Sequence, residues 1–246
     1  MENFTQVNNS LIHTNQQLRK TIASSDNPKI EGMVLTLTRL YSMLLSVWCE
    51  ARLHTLLYED GVFNEEERYR IYNSGSVENK WKKALIISVE KHADLQKDTP
   101  ITENSVGFAL FNIYSRITEW LSKYFSPVIQ NRNKIAHAQW VYPFVNTDGE
   151  WENSLSFKIC QDSIANFKKD NLLSIEEKAK LLKAIATAIN NLAIDSKQSD
   201  YKVLDFDKLN KLVQKHVEKL ESINHSYYVE RVKNMQKAYE ERKKPT

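Results

Sequence analysis

The sequence predicts an all-α helical bundle carrying one small β-hairpin, on three observations. Breakers are scarce, with 5 Gly and 5 Pro in 246 residues, which leaves room for long helices. Apolar residues recur at three- and four-residue spacing through most of the chain, the period of helices that turn one face to a core. Only between residues 140 and 159 does the composition shift to β formers, on both sides of Asn146-Thr147-Asp148-Gly149. That tetrapeptide is a hairpin turn signal.

Taken in order, residues 4 to 23 predict a polar first helix with a thin seam through Phe4, Val7, Leu11 and Leu18, and Ser24 to Pro28 break the chain. Ile30 to Glu59 is strongly apolar, with Met33, Leu37, Leu40, Leu44, Val47 and Trp48 at helical spacing, and is the expected central helix. Asp60-Gly61 closes it, a short charged helix follows from Asn64 to Tyr72, and Trp81, Leu85, Ile86 and Val89 mark the next, to about Lys91. Val106 to Tyr124 is a well-patterned helix expected to stop at Phe125, ahead of Pro127. Ser126-Pro127 then reads as the opening of a new helix to about Ala138, with Ser126 as its cap. The hairpin arms are 140–145 and 151–159, with Pro143 suited to an edge. Further helices are expected over 161–169, from a capping box at Ser174-Ile175-Glu176-Glu177 through Leu182, Ile185, Ile189 and Leu192 on a narrow stripe, and over 206–221 and 226–243. Residues 197–202 read as a loop and the tail from Glu241 as frayed. Four segments result: an N-terminal helix (1–28), a bundle core (29–138), the hairpin (139–159) and a C-terminal helical extension packed on the bundle (160–246).

Composition narrows the function classes without choosing one. A hydrophobic share of 41% and a charged share of 26% are those of a soluble globular chain. A net charge of +3 and a pI near 8.6 permit a nucleic-acid partner without arguing for one. Cys49 and Cys160 lack metal-ligand spacing and read as free thiols of a reducing compartment. The chain begins without the basic and apolar regions of a signal peptide, and no apolar run is read as membrane-spanning. A cytoplasmic protein without a membrane partner is expected. There is no repeat, phosphate loop, nucleophile elbow or HExxH, and no cofactor is expected. His13, His54, His92, His216 and His225 are scattered without evident partners.

One stretch reads as chemistry: Arg132-Asn133-Lys134-Ile135-Ala136-His137. At about 100° per residue Asn133 and His137 stack one turn apart and Arg132 lies about 140° from His137, with Ala136 inside that arc. A small residue there lets another surface approach. Arg132-Asn133-x-x-x-His137, at the start of a helix late in a helical bundle, resembles the signature of HEPN domains, many of them metal-independent endoribonucleases of bacterial defence and toxin systems. The resemblance covers residues 30 to 138 and implies the fold of that family. It also suggests a polar or acidic residue on an earlier helix facing the site, for which Glu50 is the candidate. One HEPN subgroup carries a Tyr two residues after the His. Gln139 stands there instead, which argues against antitoxin control by tyrosine modification.

The chemistry these residue types suit is RNA cleavage through its own 2′-hydroxyl. Imidazoles titrate near neutrality, so His137 suits proton transfer. Arg132 suits the charge developing on phosphorus, and Asn133 suits holding the imidazole or phosphate in register. The resemblance further implies a homodimer whose two motifs share one cleft, RNA as substrate, and a possible partner or antitoxin protein. The alternative reading is a non-catalytic HEPN-like module that binds a partner protein or RNA.

Overall fold

The computed structural model describes residues 2–23, 29–144, 159–194 and 204–243. The expected breaks at 24–28 and 197–202, the hairpin turn with its second arm up to 158, and the tail from 244 lie outside the described residues. The described residues are mostly helical, as an all-α fold requires.

The central helix forms as α2 (Lys29–Leu57), flanked by α1 (Glu2–Ala23), α7 (Ser126–Ala136) and α9 (Leu172–Ala193). Its seam differs from the expected one. Tyr41, Leu45, Trp48, Cys49, Leu53 and Leu56 are buried, whereas Met33 is 53% exposed and Leu37, Leu40, Leu44 and Val47 are half-buried. Because α2 is apolar nearly all round, several seams satisfy the helical period, and polar partners choose among them. Ser42 Oγ donates to Asp170 Oδ2 at 2.9 Å, and Arg39 Nη1 donates to the Phe167 carbonyl at 2.9 Å. By length and composition Ile30–Leu57, with mean hydropathy 1.3, is long and apolar enough to cross a membrane, which corrects the reading that no run reaches that length. In this fold it is a core helix: Arg39, Glu50 and Arg52 all find partners within the chain.

Between α2 and α7 the chain forms α3 (Glu65–Tyr72), α4 (Val77–His92), the short α5 (Glu103–Val106) and α6 (Phe108–Trp120). Asn64 and Glu67 make a reciprocal capping box on α3. Trp81 of α4 is fully buried, donates from Nε1 to the Cys49 carbonyl at 3.1 Å and lies 5.2 Å from the Phe125 ring. It thereby ties α4 to both α2 and the segment entering α7.

That segment overturns the expected stop at Phe125. A π-helical turn, Leu121–Phe125, runs from α6 directly into α7, and the Ser126 N–H bonds the Leu121 carbonyl five residues back. Proline lacks the N–H that would bond four residues back, and its ring crowds that carbonyl. Widening the turn by one residue relieves both conflicts without ending the helix. Ser126 is therefore helical and not a cap; its Oγ donates to Glu78 Oε2 at 2.5 Å.

The small hairpin is not seen. Among the described residues the only extended pairing is one antiparallel bridge, Phe144 to Ile159, beside a Cys160 N–H to Pro143 carbonyl bond of 2.7 Å. Phe144 instead bonds the end of α7: its N–H donates to Gln139 Oε1 at 2.8 Å, and its carbonyl accepts from Lys134 Nζ.

After α8 (Gln161–Lys169), α9 opens three residues earlier than expected, on a reciprocal box between Asn171 and Ser174. The reason is local: Asn171 already satisfies the first free N–H groups, which leaves Glu177 free to face inward. The α9 stripe is broad, because Ala179, Ala184, Ala186 and Ala188 are buried beside Leu181, Leu182, Ile185 and Ile189. Small residues let neighbouring helices come close all round, and α9 shares one core with α1, α2, α4 and α6. His216 of α10 (Leu204–Ser222) corrects the reading of partnerless histidines: it is buried, with Nδ1 2.5 Å from Glu177 Oε1. The last helix, α11 (His225–Lys243), packs against α1.

Ile185 is fully buried in α9. Ile185→Ala is expected to lower stability by about 2–5 kcal/mol, read as a shifted urea midpoint. Burial pushes the Glu177 carboxyl up, but hydrogen bonds from His216 and Lys180 outweigh it, and the group lies below the ordinary carboxylate value. A carboxyl more acidic in the folded than the unfolded chain adds stability above its unfolded pKa, lost as pH falls through the folded value. Glu177→Gln is expected to cost about 1–3 kcal/mol at neutral pH, with the gap to wild type narrowing on acidification. A gap that stays constant in urea titrations from neutral to acid pH would contradict this.

Candidate functional site

The buried face of α7 carries Val128, Ile129, Asn131 and Ile135 against the bundle, and Gln130, Asn133, Ala136 and His137 face outward. Arg132 emerges at the border between the two. From there it reaches α2, where Nη2 donates to Glu50 Oε2 at 2.5 Å. Glu50, chosen from the sequence as the acidic residue facing the motif, does meet it. Arg132 Nη1 lies 3.4 Å from Asn133 Oδ1, a long bond, and Arg132 Nε is buried without a partner among the described residues. With 27% and 35% of their side chains exposed, the pair is of the kind that contributes about 0–1 kcal/mol. Its effect is geometric: it holds a partly exposed guanidinium at the edge of the motif face, with the Nε N–H buried.

His137 stands just beyond the helix, which ends at Ala136 and not near Ala138. It is the C-cap residue (φ −91°, ψ 26°), and its N–H still bonds the Asn133 carbonyl at 3.1 Å. The two motif residues therefore remain one turn apart. The imidazole is exposed and has no hydrogen bond among the described residues. The turn that stops the helix is a Schellman motif. Ala138 sits at φ +61°, its N–H bonds the Ile135 carbonyl at 3.1 Å, and the Gln139 N–H bonds the Lys134 carbonyl at 2.9 Å.

Three residues take supporting roles that the sequence did not reveal. Trp140 Nε1 donates to the Ile135 carbonyl at 3.0 Å, Gln139 accepts from Phe144, and the buried Lys134 donates to the Phe144 carbonyl. Together they fold residues 139–144 back over the helix end and hold His137 at its rim. No spacing in the sequence marks them, because each acts on backbone groups that only the turn brings near. Cys160 follows this segment, half-buried. A hydrogen bond from Ser163 leads the effects that lower its thiol pKa, while burial pushes the Cys49 thiol up.

Among the described residues no three His, Cys, Asp or Glu side chains gather as a metal site requires. A cleft of about 1660 Å³ lies on the opposite side of α7, where Pro127, Val128 and Asn131 line it and the motif does not. No family model, curated protein or solved structure matches the chain. What the arrangement can do is thus argued from its chemistry: a guanidinium at the border of the exposed face, with an amide and an imidazole without a hydrogen bond among the described residues on that face, suits an anionic substrate near an acid–base group.

A left-handed backbone costs a residue with a Cβ about 1–2 kcal/mol, and glycine relieves it at some unfolded-state entropy. Ala138→Gly is accordingly expected to stabilise the chain by about 0.5–1 kcal/mol, seen as a raised urea midpoint with unchanged helical circular dichroism.

Proposed function

We propose that the chain is a HEPN-type, metal-independent endoribonuclease, working as a homodimer in bacterial anti-phage defence, abortive infection or a toxin system. The observation that carries this reading is the pairing of Arg132 with Glu50, together with an exposed His137 at the end of α7 that has no hydrogen bond among the described residues. In the proposed reaction the ribose 2′-oxygen attacks phosphorus, the bond to the 5′-oxygen breaks, and the products are a 2′,3′-cyclic phosphate and a 5′-hydroxyl. The 2′-hydroxyl proton passes to one imidazole, and the leaving 5′-oxygen takes a proton from another. One chain offers one motif histidine, so the second comes from the partner copy across a two-fold axis. Arg132 stabilises the charge on the equatorial oxygens, with Glu50 as the positioning residue that aims it. Asn133 holds the phosphate or imidazole in register. DNA lacks the attacking hydroxyl and is not cut this way.

The second reading, a non-catalytic module that binds RNA or a partner protein, draws on the same ion pair: Glu50 already occupies part of the guanidinium that a phosphate needs. Cleavage of total RNA in EDTA separates the two. His137→Ala is expected to lower the rate about 10²–10⁴-fold and Arg132→Ala about 10²–10³-fold, with 2′,3′-cyclic phosphate ends on the wild-type products. Equal rates in all three proteins, or no wild-type cleavage of tRNA, rRNA or mRNA, would leave the binding module.

A further inference from the structure

We propose that the large cleft is a docking groove for an acidic amphipathic helix of a partner protein. Its volume of about 1660 Å³ exceeds the roughly 300–1,000 Å³ of small-molecule sites. Its walls are helices: the end of α1, the first half of α2, the start of α7, the junction of α8 with α9, and α11. Grooves between helices accept a partner helix through its apolar face. Leu35, Val128, Leu182, Tyr228 and Val232 supply the matching floor.

Two of these walls are incomplete as they stand. Leu35 is 51% exposed, and α11 has no buried residue along its 19 residues. A helix in water owes most of its stability to packing of an apolar face, so α11 gains burial when the groove is filled. Charge selects the occupant. Lys123, Lys168, Lys169 and Lys233 line the groove without a salt bridge among the described residues, against the carboxylates of Glu31 and Glu221, while Lys178 is already paired with Asp170. Among the described residues, Lys168, Lys169 and Lys233, with Lys123 held only over the Tyr124 ring at 5.4 Å, outnumber the two carboxylates and favour an acidic partner. A membrane surface fits less well, since the apolar residues line a concavity between helices and do not project from it.

The groove and the motif share α7: Val128 and Asn131 face the first, Arg132 and His137 the second. An occupant therefore bears on the helix that carries the motif, but its binding is readable without any RNA.

The test uses the full chain and a fluorescein-labelled peptide of about 14 residues, ~21 Å as a helix, with Leu at helical spacing and Glu elsewhere. Its counterpart carries Lys for every Glu. The acidic peptide is expected to bind saturably by fluorescence anisotropy and the basic one at least about tenfold more weakly. Leu35→Glu and the pair Lys168→Glu, Lys169→Glu are each expected to weaken binding about tenfold or more with unchanged thermal melts, and Arg132→Ala to leave it unchanged. That last outcome separates failure of the groove from failure of the nuclease reading. Absent binding of the acidic peptide, equal binding of both peptides, or binding indifferent to Leu35→Glu would overturn the proposal. So would co-sedimentation with phosphatidylglycerol vesicles that the acidic peptide does not compete, or self-association through the groove that it does not displace.

Discussion

A proline inside a continuous helix is the constraint on which the placement of the candidate site depends. Pro127 cannot donate to a carbonyl four residues back, and the chain answers with one π-helical turn in place of a break. One residue inserted into a helix turns everything after it by about 100° about the axis. In α7 that rotation coexists with Val128, Ile129 and Ile135 packed inward, Arg132 at the border and His137 outward. Trp81 secures the turn from behind, against Phe125 and the Cys49 carbonyl. The residue it grips on α2 is the neighbour of Glu50, so one buried indole helps fix both partners of the ion pair.

The end of α7 is held as firmly as its start. Ala138 takes a left-handed conformation that glycine usually fills, while Trp140, Gln139 and Lys134 fold the next residues back over the helix terminus. The same Lys134 and Gln139 bonds draw residues 139–144 onto the helix end. Phe144 turns its N–H and C=O away from Ile159 and toward the helix end, while its neighbour Pro143 accepts from Cys160.

Polar partners also decide the core. α2 and α9 are each apolar enough to bury several alternative faces, and the faces chosen put Ser42 and Arg39 beside Asp170 and Phe167, and Glu177 beside His216. An unsatisfied buried polar group costs about 1–3 kcal/mol, more than the difference between two similar leucine stripes. Hydrogen bonding therefore sets the rotation of helices whose existence the hydrophobic pattern determines.

From the sequence alone came the helical class, most helix positions, the stretch at Arg132 to His137, and Glu50 as its acidic companion. The first three rest on local period and residue chemistry, which need no knowledge of neighbours, and Glu50 on the resemblance to HEPN domains. Tertiary structure decided the seam of α2, the π turn at Pro127, the early start of α9, the Glu177–His216 pair, the helix end at Ala136 and the missing hairpin arm. The seam of α2 and the Glu177–His216 pair turn on which distant group is there to hydrogen-bond, whereas the π turn, the start of α9 and the end of α7 are choices among local backbone geometries that the period of apolar residues does not distinguish.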